Sequence, residues 1–487
     1  MSCRNDCAPV RGAQVRSVSK MQTIRLALVV FGMGICAAAQ TSTAPAPAFG
    51  QNAPVLDPEN PPVTGFDEPS LDLRMASRSF ISPALQVSES ADTNGANQIG
   101  GSDLQSVTRV LGALDLQQFW LKSDLFLEYL GGGAFYGSPY SAKQVQAVGL
   151  EGVTRWRTGQ VTVRDAFSYL PDGSFFIGTY GGAPGLGLAS GTMGIGAQGG
   201  TLPGFVGGGQ LGSIGNIPRL ANTALLDVVQ AVNPRSAITV AGGYSNAHFY
   251  DSAECAIPQS ICLINSDQVT FEGGYTHLIS RRDQLGAVYG FQRFQFPENT
   301  GGDIYSHIFN VRWSHTISGR LSLIAGVGPQ YTDLEQGGPA SHWSVSARVL
   351  LRYKLGRASL VAIYEKFTSA GSGFLAGANT QAARLGYRRP LGRTWEFYAD
   401  LGYSNNKRLQ PSVFGASNAT SYNEGAARAV FRKHLGRSYD FFADYQFTAV
   451  SFNTEGDAPL PGNSGRISHR HTGMIGVEWH PRPTRIE

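Results

Sequence analysis

From about residue 78 the chain alternates apolar and polar positions with period two, segment after segment. In an extended strand that period puts one set of side chains on each face. The pattern is clearest in the C-terminal half, at 269–277, 285–291, 308–315, 321–328, 343–354, 359–367 and 469–479. Turn chemistry separates the segments, and the connections alternate in length. Short turns fall near Lys122-Ser123, Thr158-Gly159, Asn233-Pro234-Arg235, Arg281-Arg282, Gly319, Gly356, Gly392 and Gly436. Between them lie longer polar connections, near 92–103, 137–142, 171–220, 251–266, 297–303, 334–341, 370–379, 406–420 and 451–466. Such alternation predicts antiparallel strands joined by hairpins. Eight short turns and nine long connections give about 18 strands, with 16 as the alternative count.

One hairpin unit recurs. Arg384-x-x-x-Arg388 runs into Leu391-Gly392-Arg393 and then Glu396 and Asp400; Arg428-x-x-x-Arg432 runs into Leu435-Gly436-Arg437 and then Asp440 and Asp444. With each glycine as the turn centre, Arg388 meets Glu396, Arg384 meets Asp400, Arg432 meets Asp440 and Arg428 meets Asp444. The opposite face carries Leu385, Tyr387, Trp395, Phe397 and Leu401, then Phe431, Tyr439, Phe441 and Tyr445. Arg348 and Arg352 precede the Leu355-Gly356-Arg357 turn with the same spacing. By the same rule their partners are the non-acidic Tyr364 and Leu360, which makes these two arginines the less neutralised ones.

Composition decides which face is wet. Only 15% of residues are charged, 10% are aromatic, and there are 61 glycines. That balance suits a β-protein with a lipid-facing surface. The net charge of +4 gives nucleic-acid binding no support. No segment reaches the ~20 apolar residues of a membrane helix. The nearest, 26–39, reads as a secretory signal: Lys20 and Arg25 are its basic region, Leu26–Ile35 its apolar stretch, Ala37-Ala38-Ala39 its cleavage site, and Met21 a plausible start. Residues 40–77, with many Ala and Pro at 41–63, read as a periplasmic leader, and 78–481 as the β-domain. Cys255 and Cys262 share one polar loop of an exported chain and are expected to form a disulfide.

Signal, strand count and loop alternation resemble the porin-type outer-membrane barrels of Gram-negative bacteria, as architecture over about 78–481. The resemblance implies an all-β, transmembrane, antiparallel up-and-down barrel integral to the outer membrane. It implies outer-membrane lipids, lipopolysaccharide and the barrel assembly machinery as partners, and admits a homotrimer. Many such chains end on an aromatic residue; here Trp479 closes the last strand and 480–487 follow it. In general porins the third long loop narrows the lumen, and 171–220 occupies that place. The expected function is diffusion of small hydrophilic solutes, anionic or sugar-like, with Arg348, Arg352, Arg384, Arg388, Arg428 and Arg432 as selectivity candidates and Glu396, Asp400, Asp440 and Asp444 as their acidic partners. Guanidinium rows favour anionic solutes through bidentate hydrogen bonds; the plainer role is cross-strand pairing, about 0.2–1 kcal/mol per pair. The alternatives are an export conduit for an anionic polysaccharide and a structural or adhesive barrel plugged by 171–220. The scattered histidines form no catalytic or metal motif, so no enzyme activity, metal or other cofactor is expected.

Overall fold

The computed structural model describes residues 79–93, 104–137, 142–170, 219–250, 264–297, 302–335, 341–371, 375–409, 419–454, 467–482 and 484–486. Residues 1–78, with the signal region and the leader, lie outside the described residues. So do Cys255, Cys262 and 171–218.

The strands are β1 (Phe80–Asp92), β2 (Gln105–Phe119), β3 (Ser123–Tyr136), β4 (Lys143–Trp156), β5 (Gly159–Leu170), β6 (Arg219–Asn233), β7 (Ser236–Phe249), β8 (Ser266–Leu278), β9 (Asp283–Gln295), β10 (Ile304–Ser318), β11 (Leu321–Leu334), β12 (Ser341–Leu355), β13 (Ala358–Ser369), β14 (Ala378–Pro390), β15 (Trp395–Arg408), β16 (Ala419–His434), β17 (Tyr439–Thr454), β18 (Ile467–Trp479) and the two-residue β19 (Thr484–Arg485). Each of β1 to β18 pairs antiparallel with its neighbours in sequence, and β1 also pairs with β18. The sheet therefore closes as an 18-stranded up-and-down barrel. Closure removes every unpaired edge, the condition for β-structure in lipid. At ~3.3 Å per residue, even a tilted strand of 12 residues crosses an apolar band ~25 Å tall.

The seam has a detail of its own. Leu85–Asp92 pair with Trp479–Thr472, while Phe80 and Ile81 pair with Arg485 and Thr484. Pro83 sits at the gap between these two runs, where its missing N–H costs no ladder bond. The residues beyond Trp479 thus complete the wall alongside β1.

Polarity is inverted relative to a soluble sandwich. Phe309, Val311 and Trp313 point outward from β10 and are exposed, while Ser306, Ile308, Asn310 and Arg312 face in and are buried. The same division holds on β16 and β17, where Phe431, Tyr439 and Tyr445 are exposed and Arg428, Asp440, Phe442 and Asp444 are buried. An apolar exterior around a charged interior is the arrangement of a membrane-spanning barrel. Outward aromatics gather toward the turn ends of the strands, including Trp156, Trp313, Trp395 and Trp479.

The three Leu-Gly-Arg turns differ, which corrects the expected register. Leu355 pairs with Ala358, so only Gly356 and Arg357 form the first loop, with Gly356 at φ +63°. Two-residue hairpin loops favour such a glycine. Arg348 consequently lies opposite Glu365 and Arg352 opposite Val361, not Tyr364 and Leu360. A one-residue slip exchanges the two faces of a strand: exposed Tyr364 goes to the outside and Glu365 to the lumen. The other two turns are longer, closed by Leu391 N–H to Trp395 O and Leu435 N–H to Tyr439 O, both 2.8 Å. Arg388 is therefore level with Tyr398, Arg384 with Gly402, Arg428 with Gln446 and Arg432 with Phe442. That shift is two residues, so every face survives and the ion pairs become diagonal.

Candidate functional site

The lumen wall carries arginines and carboxylates that alternate from strand to strand. Arg348 on β12 meets Glu365 on β13 at 3.1 Å. Arg384 follows on β14, and register sets Asp400 of β15 opposite Arg428 of β16. Arg428 donates two bonds through Nε and Nη2 to Asp444 of β17, at 3.0 and 2.8 Å. Across the seam, Arg470 of β18 holds Asp92 of β1 through Nε at 3.0 and 2.8 Å, and Arg109 of β2 donates to Ser90. A second row lies nearer the short turns: Arg388 donates to Glu396, and Arg432 stands 3.7 Å from Asp440 and 3.6 Å from Glu478.

The far wall continues the theme. Arg155 meets Asp124 at 2.8 Å, and Arg164 lies 3.3 Å from Asp227 and 4.0 Å from Glu151. Arg312 on β10 is only 2% exposed and ranks among the largest fully buried side chains. Sequence reasoning missed Arg109, Arg155, Arg164, Arg312 and Arg470 because none flanks a Leu-Gly-Arg triplet. Their period-two parity was the available signal. The expectation of an under-neutralised Arg348 is corrected: Glu365 stands beside it inside the wall. The electrostatic result is a compensated surface that offers N–H donors and carboxylate acceptors side by side.

At the long-connection end, a segment that sequence reasoning passed over packs against the wall. Between β13 and β14 the chain turns inward. Ala370, Leu375 and Ala376 are at most 4% exposed. Ala370 and Ala376 pack in one apolar cluster with Ile264, Phe294, Phe296 and Ile304, flanked by Leu334 and Leu409. Phe294 and Ile304 share the inward parity of Arg312, so the segment is seated on the lumen side. The cluster draws on residues from just before β8 to just after β15. Backbone bonds hold it: Leu375 N–H to Gly371 O and Leu409 N–H to Gly377 O are both 3.1 Å. Gly377 (φ +76°) has no room for a side chain, since a Cβ there would lie 2.2 Å from Ile304 Cδ1. The legible signal was composition, because 370–377 carries Ala, Leu and Phe where a polar loop was expected.

No protein-family profile matches the sequence and no curated protein resembles it in sequence. Among solved structures, Pseudomonas aeruginosa OpdO aligns at 13% identity with a TM-score of 0.39, covering 83% of this chain and 97% of that one. Pseudomonas aeruginosa OccK2 (OpdF), solved in complex with glucuronate, aligns at 9% identity and TM-score 0.40, covering 82% and 97%. The FrpB iron transporter of Neisseria meningitidis aligns at 8% and 0.40, covering 84% and 83%. At this distance the function has to be argued from the chain's own residues.

Proposed function

We propose that the protein is a passive outer-membrane channel for small hydrophilic solutes, and that its wall suits sugar-like, polyhydroxylated solutes better than simple anions. The observation that carries this reading is the alternation of guanidinium and carboxylate around the lumen. A row of uncompensated arginines would concentrate anions. A row in which Arg155, Arg164, Arg348, Arg388, Arg428, Arg432 and Arg470 each stand beside an acid presents little net field but dense, fixed donors and acceptors. A hydroxyl, which both donates and accepts, can exchange its water for such groups at low cost. The same compensation weighs against export of an anionic polysaccharide.

A second reading has its own observation. The apolar seat of 370–377 supports a barrel that is closed or gated at the mouth rather than permanently open. Planar-bilayer recording of the refolded protein tests both. Steady conductance with weak ion selectivity, reduced by added oligosaccharide, supports the sugar channel. Strong anion selectivity would sink it, and silence relieved by excising 371–376 would favour the gated form.

A further inference from the structure

The short-turn rim has a charge pattern that transport does not explain. Its eight turns span 120–122, 157–158, 234–235, 279–282, 319–320, 356–357, 391–394 and 435–438. Every one contains an exposed Lys or Arg, from Lys122 to Arg437, whereas the nearest acids, Asp124, Asp283, Glu396 and Asp440, stand at the strand starts and are drawn into contacts with Arg155, His315, Arg388 and His434. The chain as a whole has 39 basic and 35 acidic residues, so even mixing would put both signs here. The opposite rim does mix them: Asp303 and Glu335 stand near Arg293, and Lys407 is exposed.

Each turn also pairs its cation with an exposed apolar side chain. Leu121, 98% exposed, precedes Lys122; Trp156 precedes Arg157; Leu355 stands two residues before Arg357. Lys433 Nζ lies 5.0 Å over the Trp395 ring just inside the rim. The pairs run all around the circumference rather than forming one patch, so a single acidic protein would meet only a sector of them. Apolar residues dipping toward acyl chains, with cations one layer out, match the depth order of a phospholipid leaflet, whose phosphates lie just above the acyl boundary. A guanidinium suits phosphate through its planar fork.

We infer that the short-turn rim is a collar that selects anionic phospholipid headgroups in the leaflet it meets. This rests on the membrane-spanning reading above. The test uses the full-length barrel in vesicles, with its own tryptophans as reporters and brominated phosphatidylglycerol or brominated phosphatidylcholine as quenchers. The expected result is about fivefold tighter association of the glycerol lipid at low salt. The preference should fall toward parity in high salt, which screens it, and in an Arg320→Gln, Arg357→Gln, Arg393→Gln triple variant. The salt arm keeps the test intact should that variant fail to fold. Equal quenching by the two lipids at low salt would overturn the collar while leaving insertion intact, whatever acidic protein the rim then bound. Abolition of the preference by inorganic phosphate at constant ionic strength would mean a small-anion site and would also overturn it. Absence of quenching by either lipid would instead strike the membrane reading itself.

Discussion

On the gated reading the seating of 370–377 closes the mouth, and truncation of its buried Leu375 gives a quantitative prediction. It is 0% exposed and adjoins Ala376, which packs in one cluster with Phe294 and Ile304. Leu375→Ala deletes three buried carbons and leaves a cavity. Fully buried leucines of this kind lose about 3 kcal/mol on truncation. The barrel ladder does not involve this side chain, so the loss falls on the seating of 370–377 rather than on the fold. At ~1.4 kcal/mol per tenfold, the seated-to-released ratio falls about 100-fold. A segment seated by about 4 kcal/mol, released ~0.1% of the time, would then be released about a tenth of the time. Single-channel recording reads this directly as more frequent transitions to a larger conductance level. Leu375→Met, which conserves volume, should behave like the parent. If Leu375→Ala leaves conductance levels and their occupancy unchanged, the segment does not close the mouth and the argument fails.

Three further predictions test the wall and its short-turn end. Glu365→Gln removes the carboxylate beside Arg348; reversal potential in a salt gradient should shift toward anions, with Arg348→Gln shifting it the other way, and no shift in either would show that this pair lies off the conduction path. Arg428→Leu strands Asp444, whose side chain is 5% exposed, and should cost about 3–5 kcal/mol in urea unfolding, most of it regained when Asp444→Leu is added; a single variant as stable as the parent would refute the pair's burial. His480 lies 3.5 Å from the Asp440 carboxylate, whose interaction raises the imidazole pKa above its ordinary 6.5 against the opposing effect of burial. A raised folded-state pKa contributes stability that is fully present below 6.5 and lost as pH rises through the higher folded value. The unfolding midpoint of the parent should therefore fall across that window more than that of His480→Gln, and parallel profiles would count against it.

The strand order was legible in the sequence because period-two patterning and turn residues are local signals, and the positions around Gly319, Gly356, Gly392 and Gly436 all fall at observed turns. Register was not. Leu-Gly-Arg reads identically at 355–357, 391–393 and 435–437, yet the first leaves two residues between paired positions and the others five. Turn length depends on how the flanking strands pack, and one residue of difference exchanged Tyr364 for Glu365 on the lumen face. The ionic partners Arg428 with Asp444 and Arg388 with Glu396 were legible because a two-residue shift preserves parity. The pair Arg470 with Asp92 was not, since it joins residues 378 positions apart and only closure brings them together. The 370–377 segment was obscured by length: 171–220 drew attention as the long loop, whereas inward folding follows from apolar content.

The seam gives the molecule a clock. Asp92 and Arg470 belong to nearly the first and nearly the last wall residues made, and Thr484–Arg485 are later still. Until those residues join β1, the sheet has two open edges. A chain cut short anywhere before them leaves β1 half-paired, an adhesive edge that invites aggregation. Once latched, the joint closes the one edge from which the cylinder could unzip without tearing its middle.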